Sequence, residues 1–169
     1  MALKEIQRKL NTPQHVLIHL CEKGVIEPDV QQTQGRGIRR QFSSRNLFEF
    51  IVALTIRKYG IPVTTTAAVV RLLRSFERST QQRVKGFGLL RFLQRSRGRS
   101  NIVLRLYDGQ YMVFGIETDG QFKSITGFDL ERILSRAKKP IKIDQLSALP
   151  EDYDSHLELD LGRLAAKAA

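Results

Sequence analysis

His15 and His19 stand four residues apart, with Gln14 directly before them and Glu22 one turn beyond. On a helix this spacing gathers Gln14, His15, Ile18, His19 and Glu22 on one outer face. A histidine pair at i, i+4 can ligate a metal ion, but the metalloprotease pattern also needs a glutamate after the first histidine, and Val16 stands there. The same side chains suit contact with nucleic acid better. Glutamine matches the edge of adenine with two hydrogen bonds, and a short helix of this kind can enter a major groove by its N-terminal end. Downstream, Arg36, Arg39 and Arg40 fall within five residues. Arginines so clustered suit phosphates, and such contacts weaken steeply as salt rises.

The remaining chemistry-bearing residues lead away from catalysis. A single cysteine, Cys21, excludes an internal disulfide and a cysteine-rich metal site. It falls on the apolar stripe of its helix, where a free thiol packs as a small hydrophobe. There is no phosphate-binding glycine loop, no dinucleotide-binding glycine signature and no nucleophile elbow. Glu151, Asp152, Asp154, Glu158 and Asp160 lack a strand scaffold that could converge them on a metal, and read as a solvated tail. The expectation is a protein that is not an enzyme and holds no metal and no cofactor.

Positioning the histidines requires short, punctuated helices. Leu3, Ile6 and Leu10 form one face of a first helix. Thr12-Pro13 predicts a side-chain N-cap followed by proline in the first turn of a second helix, over about 13–23, which buries Val16, Leu17, Leu20 and Cys21 and ends at Gly24. Residues 29–41 read as a polar loop or hairpin that turns at Gly35-Arg36-Gly37. Ser43 or Ser44 then caps a third helix over about 45–59, ended by Gly60. Its two apolar stripes, one through Leu47, Ile51, Leu54 and the stem of Lys58, the other through Phe48, Val52, Ile56 and Tyr59, predict burial on both sides. A fourth helix starts at Thr64–Thr66 and turns Val69, Leu72, Leu73 and Phe76 inward.

After a glycine-interrupted stretch with a short helix at Leu89–Leu93, the hydrophobic period changes. Residues 102–107, 110–117 and 122–125 predict a three-stranded meander, turned at Asp108-Gly109 and Asp119-Gly120. A helix over 128–137 follows, and 141–143 could add a strand. From His156 onward the residues fit a strand and a helix equally well.

The 169-residue chain is 41% apolar and 27% charged, the profile of a soluble globular protein. Its apolar runs are short and broken by charge, well below the roughly 20 residues of a membrane span. Met1-Ala2-Leu3-Lys4-Glu5 has no apolar signal region, so a cytoplasmic location is expected, nucleoid-associated if the partner is DNA. The net charge of +11 is uneven: 13 Lys and Arg against 6 Asp and Glu in residues 1–78, 6 against none in 79–100, and 9 against 11 in 101–169. A basic front joined to a mildly acidic rear points to a polyanionic partner.

Taken in register, these landmarks resemble the winged helix-turn-helix domain of MerR-type transcription regulators over about residues 3–76. The turn residue, the leucine six places on and the glycine thirteen places on are Asn11, Leu17 and Gly24, followed by the exit Val25-Ile26-Glu27-Pro28. Arg40-Gln41-Phe42 with Leu47 matches the end of the wing, and Tyr59-Gly60-Ile61-Pro62-Val63 the connector of the last two helices. The recognition helix departs from the family. Where Thr-Leu-Arg-Tyr-Tyr-Glu is usual, Val16-Leu17-Ile18-His19-Leu20-Cys21 stands, so Ile18 replaces the arginine that typically reaches DNA and His19 the tyrosine beside it. Asn11 occupies a position where glycine is common, and Phe42 keeps the wing aromatic without its hydroxyl.

The expected fold is an α+β protein: the resemblance implies a four-helix winged helix-turn-helix at residues 1–78, and the residue pattern adds a basic linker with a short helical segment at 79–100 and a C-terminal module at 101–169 with a β-meander and a helix. The implied function is a transcription regulator that binds double-stranded DNA as a homodimer. Its DNA-binding set is Thr12, Gln14, His15, Ile18, His19, Arg36, Arg39 and Arg40, and a small-molecule effector or protein partner would be met at the C-terminal module. The alternatives are an architectural or chromosome-tethering DNA-binding protein and, from the basic 79–100 stretch, an RNA-binding protein; for the latter the sequence offers no surface aromatic platform.

Overall fold

Eight residues from Leu3 to Leu10 form helix α1, which buries Ile6 and half-buries Leu3 and Leu10. This computed structural model describes residues 1–29, 41–96, 101–107, 111–129 and 156–169. Among them the protein is mixed α+β, with six helices and a four-stranded antiparallel sheet. None of these helices is long and apolar enough to cross a membrane. Two compact units make up the chain: Met1–Val70 with Lys167–Ala169, and Arg71–Ala166.

In the first unit, Glu5 accepts a hydrogen bond from the Ala2 N–H at 2.6 Å at the start of α1, and the helix ends at Asn11. There φ 46° and ψ 47° are left-handed, a conformation asparagine tolerates better than most residues. Helix α2, Gln14–Glu22, starts directly after Pro13. The expected Thr12 cap is not formed: Pro13 takes the N-cap position, and the Thr12 hydroxyl donates back to the Leu10 carbonyl at 3.1 Å. Leu17 and Leu20 are buried, while Val16 and Cys21, expected beside them, are only half-buried. Gly24, at φ +65°, ends the helix as expected, and the Val25 and Ile26 N–H groups both donate to the Leu20 carbonyl, at 2.9 and 3.3 Å.

Helix α3, Ser44–Arg57, is capped by Ser43, whose Oγ accepts from the Asn46 N–H at 3.2 Å. All side chains from Leu47 to Ala53 are buried, so both expected stripes are covered over this span. The stripes stop short of their predicted ends. The helix gives way to a turn after Arg57, closed by the Gly60 N–H on the Arg57 carbonyl, and leaves Lys58 exposed and Tyr59 65% exposed. Helix α4, Val63–Arg83, begins just after Pro62, whose carbonyl accepts from both the N–H and the hydroxyl of Thr66.

The second unit begins within α4, at Arg71. Leu72 and Leu73 are buried, and Phe76 packs on Phe114, with ring centres 4.9 Å apart. Helix α5, Leu89–Ser96, follows a short turn. Strands β1, Asn101–Tyr107, β2, Tyr111–Thr118, and β3, Gln121–Asp129, form the expected meander. Strand β4, His156–Asp160, pairs with the other edge of β1 and completes the order β3-β2-β1-β4. The reading left open at His156 resolves into both elements in succession, since helix α6, Leu161–Ala166, follows β4 directly.

One face of this sheet carries Leu104 opposite Phe114 and Leu159, and Leu106 opposite Met112 and Leu157. Helix α6 packs on β1 and on α5. The helix expected over 128–137 is corrected at its start: Phe128 and Asp129 belong to β3, paired with Met112 and Tyr111, because the ladder to β2 satisfies their backbone. The rest of that helix, the strand at 141–143 and the turn at Asp108-Gly109 lie outside the described residues. The Asp119-Gly120 turn is present, with φ of 51° and 75°, as a two-residue hairpin requires.

Candidate nucleic-acid interface

Because α2 buries Leu17 and Leu20, its 3.6-residue period turns His15, His19 and Glu22 out to solvent. Gln14 and Ile18 are half-buried along the same face, and Lys23 is exposed just past its end. Thr12 is half-buried, and its donor is already used on Leu10. Helix α1 adds exposed Lys4, Arg8 and Lys9, none of them in an ion pair among the described residues. The helix pair thus keeps two imidazoles and several cations exposed. Among the described residues, no group of three His, Cys, Asp or Glu side chains is placed to hold a metal ion.

Arg36, Arg39 and Arg40 lie outside the described residues, but both ends of the segment that carries them are described. Asn46, 0% exposed on α3, joins those ends. Its Oδ1 accepts from the Asp29 N–H at 3.1 Å and the Ser43 N–H at 3.2 Å. Its Nδ2 donates to the Glu27 carbonyl at 2.9 Å and to Glu49 Oε2 at 3.0 Å. Ser43 Oγ also donates to Asp29 Oδ2. Beside this hub Phe42 is buried against Phe50, 5.6 Å between ring centres, and exchanges backbone hydrogen bonds with Met1 in both directions, at 2.7 and 2.9 Å. The chain therefore leaves at Asp29 and returns at Phe42 through a pinned base.

Sequence reading missed Asn46. The available signal was a lone amide at the head of an apolar run, three residues after a capping serine. Such a residue cannot be buried unless every polar atom finds a partner, and here both its oxygen and its amide nitrogen have two. Glu49 is likewise buried, in an ion pair with Arg45 at 3.3 Å.

Compared with models of protein families and with curated proteins, the chain matches none.

Proposed function

We propose that the protein is a DNA-binding transcription regulator of MerR-like type. In this reading α1 and α2 form a helix-turn-helix, α2 enters the major groove with Gln14, His15, Ile18 and His19, and the stretch carrying Arg36, Arg39 and Arg40 is a wing on the phosphate backbone. The observation that carries the reading is the pinned base at Asn46. It anchors both ends of a basic segment in the unit whose short helix α2 keeps His15 and His19 exposed. The left-handed Asn11 between α1 and α2 adds support, because the tight turn of such a motif needs that conformation. Action as a two-fold dimer, and an effector or protein partner at the C-terminal unit, extend the proposal from the family resemblance.

The test is a titration of the full chain on duplex DNA at several salt concentrations, with footprinting on genomic fragments. The expected result is a protected site with two half-sites and an affinity that falls steeply with salt. Equal affinity for every sequence would replace gene regulation by an architectural role. Absence of duplex binding would overturn both.

A further inference from the structure

A second basic surface, in the other unit, plays no part in that proposal. Helix α4 ends at Arg83, and residues 84–88 turn the chain into α5. The turn is firmly built. Glu77 Oε1 accepts the Leu89 N–H at 2.8 Å, Gln81 Nε2 donates to the Phe87 carbonyl at 2.9 Å, and the Phe87 N–H donates to Val84 at 3.1 Å. Helix α5 spends its leucine face inward: Leu89 and Leu93 are buried, and Gln94 Nε2 donates to the Ala165 carbonyl at 3.2 Å.

The outer face that remains carries exposed Arg91, Phe92 and Arg95, with exposed Arg83 and Lys85 at the turn. No acidic residue occurs between Arg78 and Ser96. None of these four cations is in an ion pair among the described residues. Phe92 is 43% exposed, and its ring lies 5.6 Å from Phe87, which lies 6.4 Å from Phe76. The row of rings is grounded in the core through Phe76 and Phe114, so Phe92 is held as a platform. The sequence suggested no surface aromatic here, because Phe92 sits within a leucine-rich segment and reads as core.

We propose that this α4–α5 turn binds a single strand of nucleic acid. Arg83, Lys85, Arg91 and Arg95 take phosphates, and an unstacked base lies against the Phe92 ring. Exposed rings among cations are the pattern of single-strand readers, since every base has a face to stack while a duplex keeps its faces covered. Three of the four cations are arginines, whose planar fork matches phosphate oxygens in pairs. A lipid surface fits less well, because Leu89 and Leu93 are already buried in the unit's core and, among its described residues, only Val84 and Phe92 remain as exposed large apolar side chains to enter it.

The experiment is fluorescence anisotropy of the full chain with labelled oligo(dT), run beside a duplex of unrelated sequence, a poly-glutamate peptide and phosphatidylglycerol vesicles. The single strand should bind more tightly than the peptide or the vesicles. Arg91→Ala with Arg95→Ala should weaken oligo(dT) binding about tenfold or more and flatten its salt slope by roughly 1.4, two charges' worth. Phe92→Leu keeps the apolar bulk, and should still weaken oligo(dT) by about fivefold or more through lost stacking while leaving duplex affinity unchanged. If Phe92→Leu has no effect on oligo(dT), or if the peptide or vesicles bind as tightly, the proposal is overturned. Loss of duplex binding on substitution of His15 and His19 tests the other surface and leaves this outcome distinct.

Discussion

The Asn46 carboxamide oxygen accepts the Asp29 N–H at 3.1 Å, joining the third helix to the chain that leaves the second. The same oxygen takes the Ser43 N–H, so a single side chain closes the base of the segment between them.

Asn46→Ala would strand backbone groups of Glu27, Asp29 and Ser43 that this amide now satisfies. The expected loss of stability is about 2–4 kcal/mol, since buried polar groups left unpaired each carry a desolvation cost. Urea denaturation checks this. Asn46→Asp should be no better, because it removes both N–H donors and sets a carboxylate beside Glu49.

Gly24→Ala tests the end of α2. A Cβ there meets nothing within 4 Å, so the cost is conformational alone: φ of +65° is strained for alanine by about 1–2 kcal/mol. Gly24→Asn should lose less. Equal midpoints for the wild type and the alanine variant would show that this glycine is not required for the stop.

Gly115→Ala tests the sheet. An added Cβ would lie 2.4 Å from the Phe122 ring and 2.7 Å from the Lys123 carbonyl. The overpacking should cost about 1–3 kcal/mol, read as a lowered Tm. Adding Phe122→Ala should not restore the loss, because the second clash is with backbone. That ring also sits under the Arg105 guanidinium, 3.8 Å away, and Arg105 pairs with Glu158 at 2.8 Å, so its removal brings a loss of its own.

His15→Ala with His19→Ala should leave stability nearly unchanged, because both side chains are exposed. On the proposed regulator it should weaken binding at a specific duplex site by roughly 10-fold or more. Arg40→Ala should weaken binding to all duplexes alike and reduce the salt slope by about 0.9. Unaltered duplex affinity in both variants would sink the assignment of α2 and the wing.

Local chemistry accounts for what could be read in advance. Asn11, Gly24, Ser43, Gly60 and Asp119-Gly120 announce their turns and caps through short-range geometry, and each lies where its backbone or hydroxyl was expected to act. Thr12 is not the cap because α2 starts at Gln14 with Pro13 in the N-cap position, one residue beyond the threonine, whose hydroxyl donates to the Leu10 carbonyl. Residues from His156 fitted two periods because a five-residue strand runs straight into a helix, leaving each period too short to win. On the candidate interface, the exposure of His15 and His19 was legible from helical spacing.

By itself, the sequence determined the first five helices and the three meander strands in order, the turns at Gly24 and Gly60, and the uneven charge that points to a polyanion. These properties arise from neighbours within a few residues and from composition. Only the tertiary structure decided which polar residues are buried and which aromatics are not. Asn46 became a buried hub because its partners come from Glu27, Asp29 and Glu49, brought together by the packing of unlike segments. Phe92 became a surface platform because Leu89 and Leu93 filled the core side of α5 and left its ring outside, against Phe87. The partners of a buried amide and the exposed side of an amphipathic helix depend on long-range packing, which local pattern does not encode.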